Sequence, residues 1–351
     1  MKVYGLGSNG SGQLGLTHTR DCNIPEECKF STKLDGKHPD TPAKIVASGN
    51  TTYIIFESGR IYQSGKSLST QHGVSSAFCE TTFSQRIRVN FASTTWDACV
   101  VATEDRSVYV RGQGPKGELG LGEDTLSEHE RRLENFPPAG TEVVDLAGGV
   151  AHTVTVLSSG EVYGWGNGRK GQLGEPAGIV WTPRKIEGLD FKVVQAACGR
   201  EFTFLVGEPS TGRYAILGSD KWGIKSQAPK DVQGWNYFGA SWGSIFILDK
   251  SGKVISWGRN DHGQLAPTNL PPILYMAVGS EHVVALAMGL EEARNAISWG
   301  WGEHGNCGKD VDERGDVKEG RWNNIAIDGG LSARILGVGA GCATSFIWTA
   351  N

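Results

Sequence analysis

Seven times along the chain a short apolar stretch runs into a glycine at its fifth position. The copies are VYGLG from Val3, IYQSG from Ile61, VYVRG from Val108, VYGWG from Val162, YAILG from Tyr214, VISWG from Val254 and AISWG from Ala296. The fifth-position glycines are Gly7, Gly65, Gly112, Gly166, Gly218, Gly258 and Gly300, and in six copies a second glycine follows five residues later, at Gly12, Gly117, Gly171, Gly223, Gly263 and Gly305. Only the Ile61 copy lacks it. Successive fifth positions are 58, 47, 54, 52, 40 and 42 residues apart, irregular through loop insertions but centred on the length of a propeller blade. Between them recurs a second element, an apolar run led by a small-residue turn, as in LAGGVAHTVTVL and AVGSEHVVALA. Short runs of this kind, bounded by Gly and Ser, are strand signals.

A repeat this short cannot bury both faces of its sheet by itself, so seven copies stack as blades that cover one another. The expectation is an all-β chain in which residues 1–351 form a single seven-bladed β-propeller domain. The chain begins on the first half of a repeat and ends on ATSFIW, the second half. The N-terminal strand is therefore expected to complete the last blade, and removing Met1 to Gly7 to weaken the whole body.

Composition agrees. Glycine supplies 50 of 351 residues, about twice ordinary usage, as many tight turns require. A net charge of −4 offers no general attraction to phosphate backbones or anionic membranes. No secretory leader or membrane span is expected, so the chain reads as soluble and cytoplasmic, with a nuclear share, contacting neither nucleic acid nor membrane directly. The seven cysteines contain no C-x-x-C pair and read as reduced thiols acting as small hydrophobes rather than as disulfides or zinc ligands.

The stretch SWGWGEHGNCG at 298–308 contains G-x-G-x-x-G and places His304 three residues from Cys307. The same glycine pattern recurs at Gly5, Gly7, Gly10 and at Gly112, Gly114, Gly117, always at one place in the repeat, so it marks a turn rather than a dinucleotide loop. SGKS at 64–67 lacks the upstream glycine of a P-loop. Two residues are too few for a metal site, and no metal or cofactor is expected.

The pattern W-G-x-N-x-x-G-Q-L-G, alternating with A-x-G-x-x-H-T, resembles the regulator of chromosome condensation family of seven-bladed propellers over essentially the whole chain. WGWGEHGNCG, followed by a charged loop and GCATSFIW, is similar to the fungal alpha-tubulin-suppressor branch of that family. The resemblance implies a non-catalytic adaptor that forms a heterodimer with a small zinc- or iron-loaded ribbon protein. The processes it implies are diphthamide formation on elongation factor 2 and, indirectly through the Elongator complex, modification of tRNA wobble uridines. Exchange of guanine nucleotide on a Ran-like small GTPase is the competing implication, set lower because no basic tail and no wedge hairpin are evident. A hydrolase or oxidoreductase would need a nucleophile–base pair or a cofactor fingerprint, and neither is found.

The repeats serve as one another's control. The turns that precede the second strand read GNTT, TTWD, GVAH, GREF, SWGS, GSEH and GCAT, and equivalent turns are expected to rim one end of a central channel. His152 and His282 are most simply hydrogen-bonding parts of the fold, although His282 is kept with the rim. Trp96 with Asp97, and Trp242, replace the common pattern; they either anchor a partner or plug the channel. Arg200, Glu201 and Glu281 are expected to surround them with mixed charge. Trp301, Glu303 and His304 fall on a turn, where they either pack locally or anchor a partner. LSEHERRLENF at 126–136 reads as a short helix or, better, a solvated loop, and the charged loop at 309–324 with Trp322 as a possible extension of the interface.

Overall fold

The computed structural model describes residues 1–31, 40–66, 74–81, 83, 87–289, 294–327 and 334–350. Among them lie seven sheets, one for each copy of the repeat, antiparallel except for one added two-residue strand. The chain is a seven-bladed β-propeller, all-β, and among the described residues the one helical element is a single 3-10 turn at Lys221–Gly223. By contacts the chain divides into two compact units: Met1–Ser67, Gly73–Thr81 and Phe246–Asn351 in the first, and Leu68–His72 with Thr82–Ile245 in the second.

In the first unit one sheet runs Cys22–Glu27, Lys2–Gly7, Thr344–Thr349, Ile335–Ala340. All six residues of Lys2–Gly7 pair with Thr344–Thr349, from Lys2 opposite Thr349 to Gly7 opposite Thr344, so the N-terminal strand completes the last blade as the repeat phase implied. A second sheet holds Pro42–Ala47, Thr51–Phe56, Ile61–Lys66 and Val74–Thr81, with Phe30–Ser31 added in parallel. A third holds Ile273–Val278, His282–Met288 and Arg294–Trp301, edged by Asp316–Val317 and Asn323–Asn324. In the second unit the sheets are Val89–Thr94 to Ser127–Arg132, Val143–Gly148 to Gly178–Lys185, and the three strands Gln195–Cys198, Phe202–Val206 and Tyr214–Gly218. Trp235–Ala240, Ser244–Asp249 and Val254–Gly258 make the seventh sheet.

The fifth-position glycines explain themselves in the backbone. All seven have φ between +96° and +119°, a region closed to side chains that carry a Cβ. At Gly112 the geometry is plain: the next residue, Gln113, donates its N–H to the Asp97 carbonyl at 2.8 Å, and a Cβ on Gly112 would lie 2.1 Å from that same oxygen. The second glycine of the repeat also has positive φ, and it begins the second of two consecutive turns. In the stretch at 298–308 these are Gly305 N–H to Gly302 carbonyl, 2.8 Å, and Gly308 N–H to Gly305 carbonyl, 2.9 Å. The glutamine of G-Q-L-G folds back to cap the turn. Gln13, Gln172 and Gln264 accept the N–H two residues upstream at 2.9 Å, and Glu118 does so at 2.7 Å.

Tryptophans in the strand position tie one blade to the one before it. Trp165 and Trp299 are wholly buried, and their indole N–H groups donate to the Glu118 and Gln264 carbonyls at 3.0 and 2.9 Å. All seven cysteines are free thiols, five of them buried. Ser64 and Lys66 of the SGKS stretch lie in the strand Ile61–Lys66; Ser67 lies outside the described residues.

The loop or helix expected over 126–136 is corrected. Ser127–Arg132 is a strand on the outer edge of its sheet, paired with Val108–Gln113. Most of its side chains face solvent, so no apolar alternation betrays it; charge on an exposed edge strand is also what discourages unwanted pairing. Within 309–324, Asp316–Val317 and Asn323–Asn324 add short strands to the sheet of Arg294–Trp301.

Gly112→Ala is expected to lower the unfolding free energy by at least about 2 kcal/mol, because left-handed backbone strain and the carbonyl overlap act together. Gly178, without positive φ and with open space where its Cβ would go, is the control: Gly178→Ala should shift stability by no more than about 0.5 kcal/mol in the same urea denaturation series.

Candidate functional site

Four of the recurring turns in the second unit, those of Trp96, Val150, Arg200 and Trp242, come together. Trp96 N–H donates to the Val150 carbonyl at 2.8 Å, and Arg200 N–H to the Trp242 carbonyl at 3.0 Å. Each turn is also closed on itself: Thr95 N–H reaches the Ala98 carbonyl at 2.9 Å, Gly199 N–H the Phe202 carbonyl at 3.0 Å and Ser241 N–H the Ser244 carbonyl at 2.9 Å. The backbone under the site is thus fixed by hydrogen bonds before any side chain is considered. On it the Trp96 and Trp242 rings meet with centroids 5.7 Å apart and planes tilted by 45°, within the range of favourable aromatic pairs. Trp96 remains 40% exposed, an unusual state for so large an apolar ring. The Arg200 guanidinium lies 5.9 Å from the Trp242 ring centroid. Asp97 and Arg200 are exposed and Glu201 is half-buried.

The sequence reading grouped ten residues, and the structure divides them. Trp96, Trp242 and Arg200 form one cluster, with Asp97 and Glu201 as their chain neighbours. Glu281 and His282 do not present a charged rim. Glu281 is buried, its two oxygens held by Arg259 Nη1 at 2.7 Å and Gln264 Nε2 at 2.9 Å. Burial raises its carboxyl above the usual range, with Gln264 and Arg259 acting against that. An inward-facing acid here had no signal of its own, because Arg259 and Gln264 come from the preceding repeat.

His282 is wholly buried and its Nε2 lies 2.9 Å from Ser345 Oγ, which donates onward to the Asn306 carbonyl at 2.7 Å. His152 makes the same relay through Thr203 Oγ1, at 3.1 Å, to the Gln172 carbonyl at 2.7 Å. Because each hydroxyl proton is committed to a carbonyl, each imidazole donates from Nε2 and stays neutral. Burial pulls both histidines down to about 4.

Trp301, Glu303 and His304 form a separate patch in the first unit. The Trp301 N–H donates to the Glu281 carbonyl at 3.0 Å, and its half-buried ring stands edge-on to His304, centroids 5.4 Å apart. His304 Nδ1 meets Asp21 Oδ2 at 2.8 Å, while Glu303 is exposed. Asp21 was missed by the sequence reading, since it lies at the other end of the chain and only the pairing of first and last strands brings it near. Cys307 is buried, so His304 and Cys307 are not a ligand pair. Trp322 is half-buried.

Among the described residues, His18, Cys22 and Glu26 bring three ligand-type atoms within 4.8 Å of one another. Arg20 N–H donates to His18 Nδ1 at 3.2 Å, which leaves the ring proton on Nε2, 3.0 Å from Glu26 Oε2. A metal would need that nitrogen unprotonated and the other one donating. The Cys22 thiol meanwhile donates to Glu26 Oε1 at 3.2 Å. The group is satisfied as a hydrogen-bonded turn.

Comparison with known proteins finds similarity to one repeat family. Residues 2–54 and 159–206 match the regulator of chromosome condensation (RCC1) repeat, and residues 143–172 match a second description of that repeat. The chain is 28% identical to the RCC1 repeat-containing protein C10F6.04 of Schizosaccharomyces pombe, over 98% of each chain. It is 24% identical to the mouse secretion-regulating guanine nucleotide exchange factor, over 87% of this chain and 75% of that one. Among solved structures, Prp20p of Saccharomyces cerevisiae superposes with a TM-score of 0.81 at 19% identity, covering all of this chain and 91% of the other; that likeness is one of fold.

The two buried histidines make a pH prediction. Their folded-state value of about 4 lies below the unfolded value near 6.5. Their contribution is fully present above pH 6.5 and is lost as pH falls toward 4, on the order of 3 kcal/mol for each. Urea midpoints should fall between pH 7 and 5, and the double variant His152→Gln, His282→Gln should flatten that limb while lowering stability at pH 7.

Proposed function

We propose that the chain, a seven-bladed propeller in which residues 2–54 and 159–206 match the regulator of chromosome condensation repeat, is a non-catalytic adaptor. Its occupant is a small zinc- or iron-loaded ribbon protein, bound as a heterodimer through the surface that carries Trp96 and Trp242. The reading supported best is that the propeller shields and orients the partner's metal site, in diphthamide formation on elongation factor 2 and in Elongator-dependent modification of tRNA wobble uridines, in the cytoplasm and in part the nucleus. One observation carries the docking surface: a tryptophan pair on braced turns, with one ring 40% exposed and an arginine beside it. Trp and Arg are the residue types that dominate interface energetics. The partner and pathways rest on the resemblance of WGWGEHGNCG and GCATSFIW to the alpha-tubulin-suppressor branch.

Guanine nucleotide exchange is the second reading, favoured by the likeness to the secretion-regulating exchange factor over 87% of this chain. The two separate cleanly. Calorimetric titration of the purified chain with the recombinant zinc-ribbon protein should give one-to-one binding, weakened by about 2 kcal/mol or more in Trp96→Ala or Trp242→Ala. Binding indifferent to both substitutions moves the interface elsewhere, with Trp301 and Trp322 next to be replaced. Absence of binding, together with accelerated nucleotide release from a Ran-like GTPase, would replace the adaptor reading by the exchange-factor one.

A further inference from the structure

Four arginines of the described residues stack on aromatic rings: Arg60 on Tyr62, Arg111 on Phe83, Arg200 on Trp242 and Arg213 on Phe191. Three of them are completed by a carboxylate of the same chain. Arg60 pairs with Glu80 through two nitrogens at 2.9 and 2.8 Å, Arg111 with Glu130 at 3.1 Å and Arg213 with Asp190. Arg200 is the exception: among the described residues no carboxylate lies within ion-pair reach of its guanidinium. It is exposed, and its backbone is tied to the Trp242 carbonyl, so the fork is presented on a fixed turn with its donors open.

We propose that the missing carboxylate comes from the partner. The surface takes a protein segment in which an Asp or Glu stands close to a large apolar side chain. The carboxylate takes the two parallel donors of Arg200, and the apolar side chain covers the open face of Trp96. This deepens the adaptor reading by naming the chemistry of the bound element, and it rests on that reading only for the location of the surface. An arginine stacked on a ring is pre-organised for two-point contact with a carboxylate, and the indole beneath it keeps water from one side.

Tryptophan with arginine is also how single-stranded nucleic acid is held. The neighbours of the cluster argue against that occupant. Asp97 adjoins Trp96 and Glu201 adjoins Arg200 in the chain, and the net charge is −4, so a polyphosphate meets repulsion where a single carboxylate does not.

The test uses the full chain and a displayed library of random peptides, so it does not depend on the identity of the partner. Peptides are selected on the wild-type chain after depletion on Trp96→Ala, Trp242→Ala chain. The expected winners carry Asp or Glu near an aromatic or large aliphatic residue. Changing that acid to its amide should weaken binding about tenfold or more, and Arg200→Lys, which keeps the charge and loses the fork, should do the same. The melting temperature of Arg200→Lys should match wild type, since the side chain is exposed. Winners without an acid, or affinity unchanged by Arg200→Lys, would overturn the proposal, as would selection of nothing that distinguishes wild type from the depleted variant. Arg200-dependent binding of an unstructured RNA oligonucleotide would overturn it in favour of nucleic acid. A zinc-ribbon protein that binds through Trp96 and Trp242 but ignores Arg200→Lys keeps the adaptor function and removes the carboxylate contact. Acid-dependent peptides with no binding of the zinc-ribbon protein do the reverse.

Discussion

The fold depends on one backbone contact that recurs in six copies of the repeat. The residue after the fifth-position glycine donates its N–H to the carbonyl that closes the neighbouring turn: Ser8 to Ala343, Lys66 to Asn50, Gln113 to Asp97, Asn167 to Ala151, Ser219 to Glu201 and Trp301 to Glu281, all between 2.7 and 3.0 Å. To reach that oxygen the chain must pass it with φ near +100°, and only glycine can stand there. From this contact follow the tandem turns, the glutamine that caps them, and the position from which an indole reaches the preceding blade.

The same contact separates structure from function within one turn. The carbonyls of Asp97, Glu201 and Glu281 belong to the scaffold whatever side chains these residues carry, so the side chains are released for other uses. Where the turn ends in histidine, as at His152 and His282, the ring is drawn inward to a hydroxyl of the next blade and the turn is spent on the fold. Phe202 fills the same slot with an apolar ring, packed so closely over Gly199 that a Cβ there would overlap it at 2.0 Å. It makes no relay, and the residue two before it, Arg200, faces solvent. Trp96 and Trp242 likewise sit on turns without the histidine. The candidate surface therefore lies where the repeat has given up its internal hydrogen bond.

Legibility followed the strength of local constraint. The glycines, the blade tryptophans and the order of the strands were readable because each is forced by backbone geometry or burial. Ser127–Arg132 was not, because an edge strand needs only backbone partners, and its charged side chains carry no period. Glu281 was misread for a related reason. A glutamate in a turn looks exposed until Arg259 and Gln264, some twenty residues upstream, are seen to enclose it; a buried carboxylate survives only with such partners. Trp96 and Trp242 were legible as departures from the repeat, though not as a pair in ring contact.

What the sequence determined is the repeat: how many blades and which residues must be glycine, since each follows from constraints within one copy and from the number of copies. What only the tertiary structure decided is which polar side chains face inward and which stay open. That choice is made by partners from other repeats. Asp21 meets His304, Gln264 meets Glu281, Ser345 meets His282, and among the described residues Arg200 is left with an aromatic ring and no acid. Pairings across such separations depend on distances in space, and the spacing of residues along the chain does not encode them.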